Sequence, residues 1–272
     1  MNLSKKKVVI GLLLLIIAWT GNIIYYKKHV LKEPVFIKSY SDIKQGMRGF
    51  DLYYISNIND KDDIIKIIFP ELGEDPAEFH VNDRNSDRRY YKLNEIYVAT
   101  NSDTSDKYKN KLITKAEVQF ASGRVIKVDI RNIYLYGSED NQAPTLKSNY
   151  VSSGSDNTGS ARFIADKDIN ITGINCKFPE LINKSIKLTI NNEDLKDIKF
   201  PLIIKNGEEV RVNYYFNFDK NSIESSNIYN FSVDILTEDA SGVKGNSSIY
   251  MNYIKQFPDQ YDIKSMLSKG DR

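Results

Sequence analysis

From Val210 to Phe218 the chain alternates with a period of two: Val210, Val212, Tyr214, Phe216 and Phe218 stand between Arg211, Asn213, Tyr215 and Asn217. Successive side chains of an extended strand point to opposite faces, so this pattern makes a half-buried β-strand and does not fit an amphipathic helix. Tyr229, Phe231, Val233 and Ile235 repeat the alternation, and Ile249, Met251 and Tyr253 follow. Strand patterns at roughly ten-residue spacing, with no helical pattern between them, predict a sandwich or barrel rather than βαβ units.

The same signature runs upstream. Pro34–Tyr40, Phe50–Ser56, Ile64–Phe69, Tyr90–Thr100, Leu112–Phe120 and Val125–Tyr136 are short, β-branched or aromatic, and separated by turn residues. Leu112, Thr114, Ala116, Val118 and Phe120 are expected on one face, and Ala121, Ser122 and Gly123 turn the chain into a return strand carrying Ile126, Val128 and Ile130. The apolar parity then shifts to Ile133 and Leu135, which predicts a bulge or break near Asn132. Between Gly137 and Ser160 the chain is poor in apolar residues and rich in Ser, Asn and Gly, the composition of a linker. The fold class is therefore read as all-β: a first β-sandwich over residues 33–137, a linker over 138–160, and a second sandwich over 161–257. A tail over 258–272 carries Tyr261, Ile263, Met266 and Leu267 in a spacing suited to an amphipathic turn or two, expected to pack on the second domain or stay loose.

Two phrases recur. Phe69, Pro70, Glu71 and Leu72 in the first half match Phe178, Pro179, Glu180 and Leu181 in the second, which reads either as related tandem domains or as convergent strand-end chemistry. The run from Phe200 through Lys205, Asn206 and Gly207 to Tyr214 resembles the strand, turn and strand of immunoglobulin-like surface modules. That resemblance covers about fifteen residues, implies a fold class and carries no binding residues across.

One segment stands apart from the β pattern. Lys5, Lys6 and Lys7 precede an apolar run from Val8 to Tyr26, broken by Gly11, Thr20, Gly21 and Asn22. As a helix it spans about 28 Å, close to the roughly 30 Å of a bilayer core. Trp19, Tyr25 and Tyr26 suit an aromatic belt, and Lys27 and Lys28 follow where the chain would enter water. A cleaved signal peptide is the rival reading. Val8–Ala18 has the length of its core, but β-branched Thr20 is a poor residue before a cut, and apolar residues resume at Ile23. Residues 1–7 are accordingly expected as a cytoplasmic tail and 8–26 as a transmembrane signal-anchor. The flanking lysines nearly tie, three on each side, but a short basic amino terminus before a single anchor stays inside, which places the body outside the cell membrane.

Charge narrows the partners. Six of the 38 Lys and Arg precede Glu33, and no acid does, so the remainder carries 32 against all 36 Asp and Glu, a net of −4. Nucleic acid is therefore not an expected partner. Cys176 is the single cysteine, so neither an intramolecular disulfide nor a cysteine zinc site is available, as suits an exported bacterial domain held by packing. Heavy use of Ile, Lys, Asn and Tyr is the composition of translated AT-rich DNA.

Chemistry-bearing residues are few. Of His29 and His80, the first lies at the membrane exit and the second, in Ala77–Val81, is expected to point outward, so no Ser, His, acid triad assembles. The tightest carboxylate groups are Asp60, Asp62, Asp63 and Glu71, Glu74, Asp75, Glu78, without the spacing of a calcium loop. No catalytic residue, metal ligand or cofactor is assigned. The best local contact patch is Arg88, Arg89, Tyr90 and Tyr91. The expected function is non-catalytic binding of an envelope protein or glycan by membrane-anchored β domains. The alternative is an exported cell-wall hydrolase acting through the Glu71–Glu78 carboxylates.

Overall fold

A computed structural model describes residues 5–44, 47–83, 89–100, 110–135, 146–154, 156–219 and 222–255, together with Ile263 and Met266. Lys5–Lys27 form helix α1, whose apolar side chains from Val8 to Tyr26 are exposed. The rest is β, as the period-two pattern requires.

The first half contributes β1 (Val35–Phe36), β2 (Ser39–Ile43), β3 (Gly49–Asn57), β4 (Ile64–Ile68), β5 (Glu78–Asp83), β6 (Tyr91–Ala99), β7 (Lys111–Phe120) and β8 (Val125–Leu135). The second contributes β9 (Leu146–Ser153), β10 (Thr158–Ala165), β11 (Ile169–Cys176), helix α2 (Pro179–Lys184) and β12 (Ile186–Ile190). It continues with β13 (Glu193–Asp194), β14 (Leu202–Ile204), β15 (Glu209–Phe216), β16 (Ile228–Asp239) and β17 (Lys244–Tyr253). One sheet runs β1-β3-β6-β5 and another β13-β12-β15-β10-β9. The third runs β14-β11-β16-β2-β8-β7-β4, with β17 on the far edge of β16.

That third sheet joins the two halves. The start of β16 pairs parallel with β2, Ile228 beside Ser39 and Asn230 beside Ser41, and β2 pairs parallel with β8. Because side chains alternate along a strand, β2 serves two cores. Ile43 packs in the first core with Ile133, Leu135 and Leu52, whereas Tyr40 packs in the second with Tyr229, Phe178 and Phe231. The cores thus lie on opposite faces of one continuous sheet. A third cluster covers the outer face of β3, where Tyr53 and Ile55 meet Leu31, Ile37, Leu93 and Ile228.

Several expectations change in detail. The described part of the 138–160 stretch is not a linker: Leu146–Ser153 is β9, an edge strand paired to β10. Its Ser and Asn side chains face solvent, so the polar composition reflects an edge without a cover rather than a missing strand. Just ahead of the expected start at residue 33, Leu31 is buried and its backbone N–H and C=O both bond the Asn57 side chain, at 2.8 Å each. In the tail, Ile263 is buried in the third cluster with first-half residues rather than against the second sandwich alone, with Met266 beside it. In β7, Ala116, Val118 and Phe120 face inward, but Leu112 is exposed and Ile113 fully buried. The cause is a register shift between Ile113 and Lys115. It places the backbone N–H and hydroxyl of Thr114 on the Glu71 carboxylate, at 3.0 and 2.6 Å.

Across from that shift, β8 carries the irregularity expected near Asn132. Arg131 sits at φ 81°, a conformation L side chains rarely adopt. The repeated phrase has a shared local structure. Phe69 and Phe178 are buried at a strand end, and in each case Pro begins the helical turn that follows, Pro70–Leu72 or α2.

Candidate functional site

The joint between the sandwiches is polar where it leaves the cores. Asp42, fully buried on β2, accepts from the backbone N–H of Ser232 at 3.0 and 3.1 Å and from its hydroxyl at 2.8 Å. Burial outweighs these bonds and holds its carboxyl above the usual range. Two residues on, Lys44 Nζ donates to Asp234 Oδ1 at 2.9 Å and to the Ser248 hydroxyl at 2.7 Å, and that hydroxyl also bonds Asp234. Arg131 Nε reaches the Tyr40 hydroxyl at 3.1 Å, while the Tyr40 ring stacks on Tyr229 with centroids 5.3 Å apart. Lys177 lies 4.6 Å over the Tyr134 ring. The unusual backbone at Arg131 therefore aims a cation at the residue that links the two cores.

At the other end of the first sandwich the body meets α1. The His29 imidazole donates from Nδ1 to the Tyr25 carbonyl at 2.7 Å and stacks on Tyr90 at 4.8 Å. Tyr90 also meets Tyr25 and Tyr26 edge-on, at 6.3 and 6.4 Å. This redefines the sequence-predicted patch. Tyr91 is only 8% exposed and belongs to the third core cluster, so it is closed to an external partner. Tyr90 contacts the chain's own helix, and the exposed Arg89 guanidinium lies 5.2 Å over the Tyr90 ring. Arg88 lies outside the described residues.

The outer face of the five-stranded sheet gathers exposed aromatic, hydroxyl, amide and guanidinium side chains. Register places Thr158, Tyr215 and Lys187 in one row, Ser152, Ser160, Asn213 and Thr189 in the next, and Tyr150, Arg162 and Arg211 in a third. A shallow cleft of about 300 Å³ runs across the first two rows. Tyr150 is 51% exposed and Tyr215 42%, and Arg162 lies 5.6 Å over the Tyr150 ring. Exposed aromatic faces beside hydroxyl, amide and guanidinium groups offer both stacking and hydrogen bonding on a rigid plane. The alternation in β15 located Arg211, Asn213 and Tyr215. Tyr150 and Ser152 were missed because 138–160 reads as linker, and Arg162 because no alternation was read just beyond it; the β-prone pair Tyr150–Val151 was the signal available.

The carboxylate groups are used structurally. Asp62 accepts from the Ser122 N–H and hydroxyl at 2.8 and 2.7 Å and from Arg124 at 3.1 Å, closing the β7–β8 turn. With Asp60, Asp63, Tyr54 and Lys92 it lines a cleft of about 260 Å³. Burial raises the Glu71 carboxyl, but the Thr114 bonds prevail and leave it below its ordinary value, the wrong direction for a general acid. Glu74, Asp75, Glu78 and His80 are exposed. Among the described residues no three His, Cys, Asp or Glu side chains gather as metal ligands. Burial pushes the Cys176 thiol up to about 12, the state of an unreactive cysteine.

The sheets and cores define an all-β protein preceded by an N-terminal helix long and apolar enough to cross a membrane. No protein-family model matches the chain, and no curated protein matches it. Among solved structures, the fibronectin(III)-like modules of Clostridium thermocellum CbhA share 10% identity over 84% of this chain and 100% of theirs, with a TM-score of 0.19. A chicken TCR shares 8% identity over 82% of this chain and 100% of its own, with a TM-score of 0.22. Superpositions this loose carry no argument, and the sandwich assignment rests on the sheets themselves.

Proposed function

We propose that this chain is a single-pass membrane protein that displays its two sandwiches outside the cytoplasmic membrane and binds an envelope protein or glycan there. The observation that carries this reading is α1. Its apolar run has none of its length buried within the protein, while the body beside it closes three cores. A helix with an apolar surface all round is a stable neighbour of lipid and an unstable one of water. The outer face of β9, β10, β15 and β12 is the proposed contact surface, because it sets two exposed tyrosines and two arginines on one plane. The fixed joint supports a role as a rigid display device: a ligand held on the second sandwich stands at a set position from the anchor.

The test is protease accessibility of a carboxy-terminal tag in intact and lysed cells, with product size read on the same gel. Digestion of the tag in intact cells, on a membrane-bound product of full precursor size, is the expected result. Protection until lysis would place the body in the cytoplasm and overturn the topology, and a shortened product would make the helix a cleaved signal.

A further inference from the structure

We infer that the turn Arg89–Tyr90 is a membrane-contacting element, with Arg89 meeting the phosphates of anionic lipid headgroups and Tyr90 lying at the headgroup level beside α1. The inference rests on α1 crossing a bilayer, as proposed above. Tyr25 and Tyr26 occupy the last turn of that helix, the level at which aromatic belts mark the boundary between hydrocarbon and water. Tyr90 touches both rings and stacks on His29, so a residue of the first sandwich shares their depth. The geometry is braced on either side, by the two bonds from Asn57 to the Leu31 backbone and by Tyr91 in the core just beyond. The body is thus held against the membrane exit rather than hung from a loose tether.

Charge complementarity selects the partner. Lys27, Lys28 and Lys32 are exposed around the same exit and Glu33 is the only acid before Lys38, so Arg89 joins a cationic rim around an aromatic centre. Such a rim fits an anionic leaflet, with the tyrosines entering the headgroup layer and the guanidinium binding phosphate bidentately.

Trp19 is the chain's single tryptophan, which makes depth measurable. The full chain is reconstituted in vesicles of phosphatidylcholine mixed with phosphatidylglycerol, and quenching is read with lipids labelled either at the headgroup or deep in the acyl chain. Trp19 lies six residues before Tyr25, about 9 Å along α1 and so deeper than the belt that Tyr25 and Tyr26 mark; native Trp19 quenched by acyl-labelled lipid establishes insertion, and its absence would sink the spanning reading and this one with it. A Trp19→Phe, Tyr90→Trp variant is expected to be quenched by headgroup-labelled lipid and little by the acyl label. In phosphatidylcholine alone, or with Arg89→Gln added, the ratio of docked to lifted protein is expected to fall roughly five-fold. A second probe avoids disturbing the Tyr90 stack. Asn59→Cys carrying a nitroxide, in a Cys176→Ser background, keeps Arg89 and follows Ile58, whose N–H bonds the Tyr90 carbonyl at 2.9 Å, and its power saturation is expected to report headgroup depth. Inserted Trp19 together with solvent-like readings at both 59 and 90 would overturn the proposal while leaving the anchor intact.

Discussion

Asp42 and Asp62 are both carboxylates bonded to a serine's N–H and hydroxyl, yet they shift in opposite directions. The Ser122 hydroxyl, its N–H and Arg124 hold Asp62 below the ordinary carboxylate value at the surface, whereas burial at the joint holds Asp42 above it. For Asp62 the stabilising contribution is present above the unfolded pKa of about 4 and is lost as pH falls through the depressed folded value. For Asp42 the sign reverses. The folded state binds its proton more tightly than the unfolded chain, so its contribution improves as pH falls from the raised value towards about 4. In urea unfolding of the soluble body between about pH 7 and pH 3, Asp62→Asn is expected to lose less stability than the parent in the acid range. Asp42→Asn is expected to be less destabilised, relative to the parent, at neutral pH than near pH 4. The reverse order at Asp42 would mean that its hydrogen bonds, not its burial, dominate. Sequence marks both residues only as acids, because burial of a charge depends on which strand arrives beside it.

At the scale of elements, β2 has the largest consequence for its length. Its five residues pair with β8 on one side and the first three of them with β16 on the other, and Tyr40 carries the second core into the first half. Tyr40→Ala is expected to cost about 3–5 kcal/mol, the range for emptying a buried aromatic site, and to split one thermal transition into two as the sandwiches uncouple. A single transition lowered in temperature would show that β2 backbone pairing alone holds the joint. The edge strand β9 lies at the opposite extreme. Tyr150→Ala is expected to change stability by no more than about 0.5 kcal/mol, because the ring is exposed. A photo-crosslinker at 150 is expected to capture the envelope ligand where one at exposed Ile65 does not. Equal capture at both positions would remove the outer face as the contact surface. The strands with a clean period were legible from sequence, Val210–Phe216 most of all. The bulge at Arg131 was legible from its parity shift, while its partner at Thr114 was not, because Leu112 and Ile113 are both apolar and either suits the core.

For the whole molecule, the point at which the anchor ends and the body begins sets how a soluble form should be cut. Leu31 is buried and clasped by Asn57, so a body starting at His29 retains a contact that one starting at Glu33 loses. The difference is expected to be about 2–4 kcal/mol, from one buried leucine and two hydrogen bonds, and is read by urea unfolding of the two truncations. Equal stability would show that the clasp forms only with α1 present. What the sequence determined by itself was local: an apolar run long enough for a bilayer, strands from period-two alternation, a parity break, and carboxylates without a metal spacing. These are properties of neighbouring residues and of backbone geometry. Only the tertiary structure decided that the two halves share a sheet, that Tyr40 and Ile43 serve different cores, that tail residue Ile263 returns to the first half, and that Tyr90 rests on the helix end. Those pairings join residues far apart in the chain, and no local pattern specifies which of several compatible strands and faces will meet.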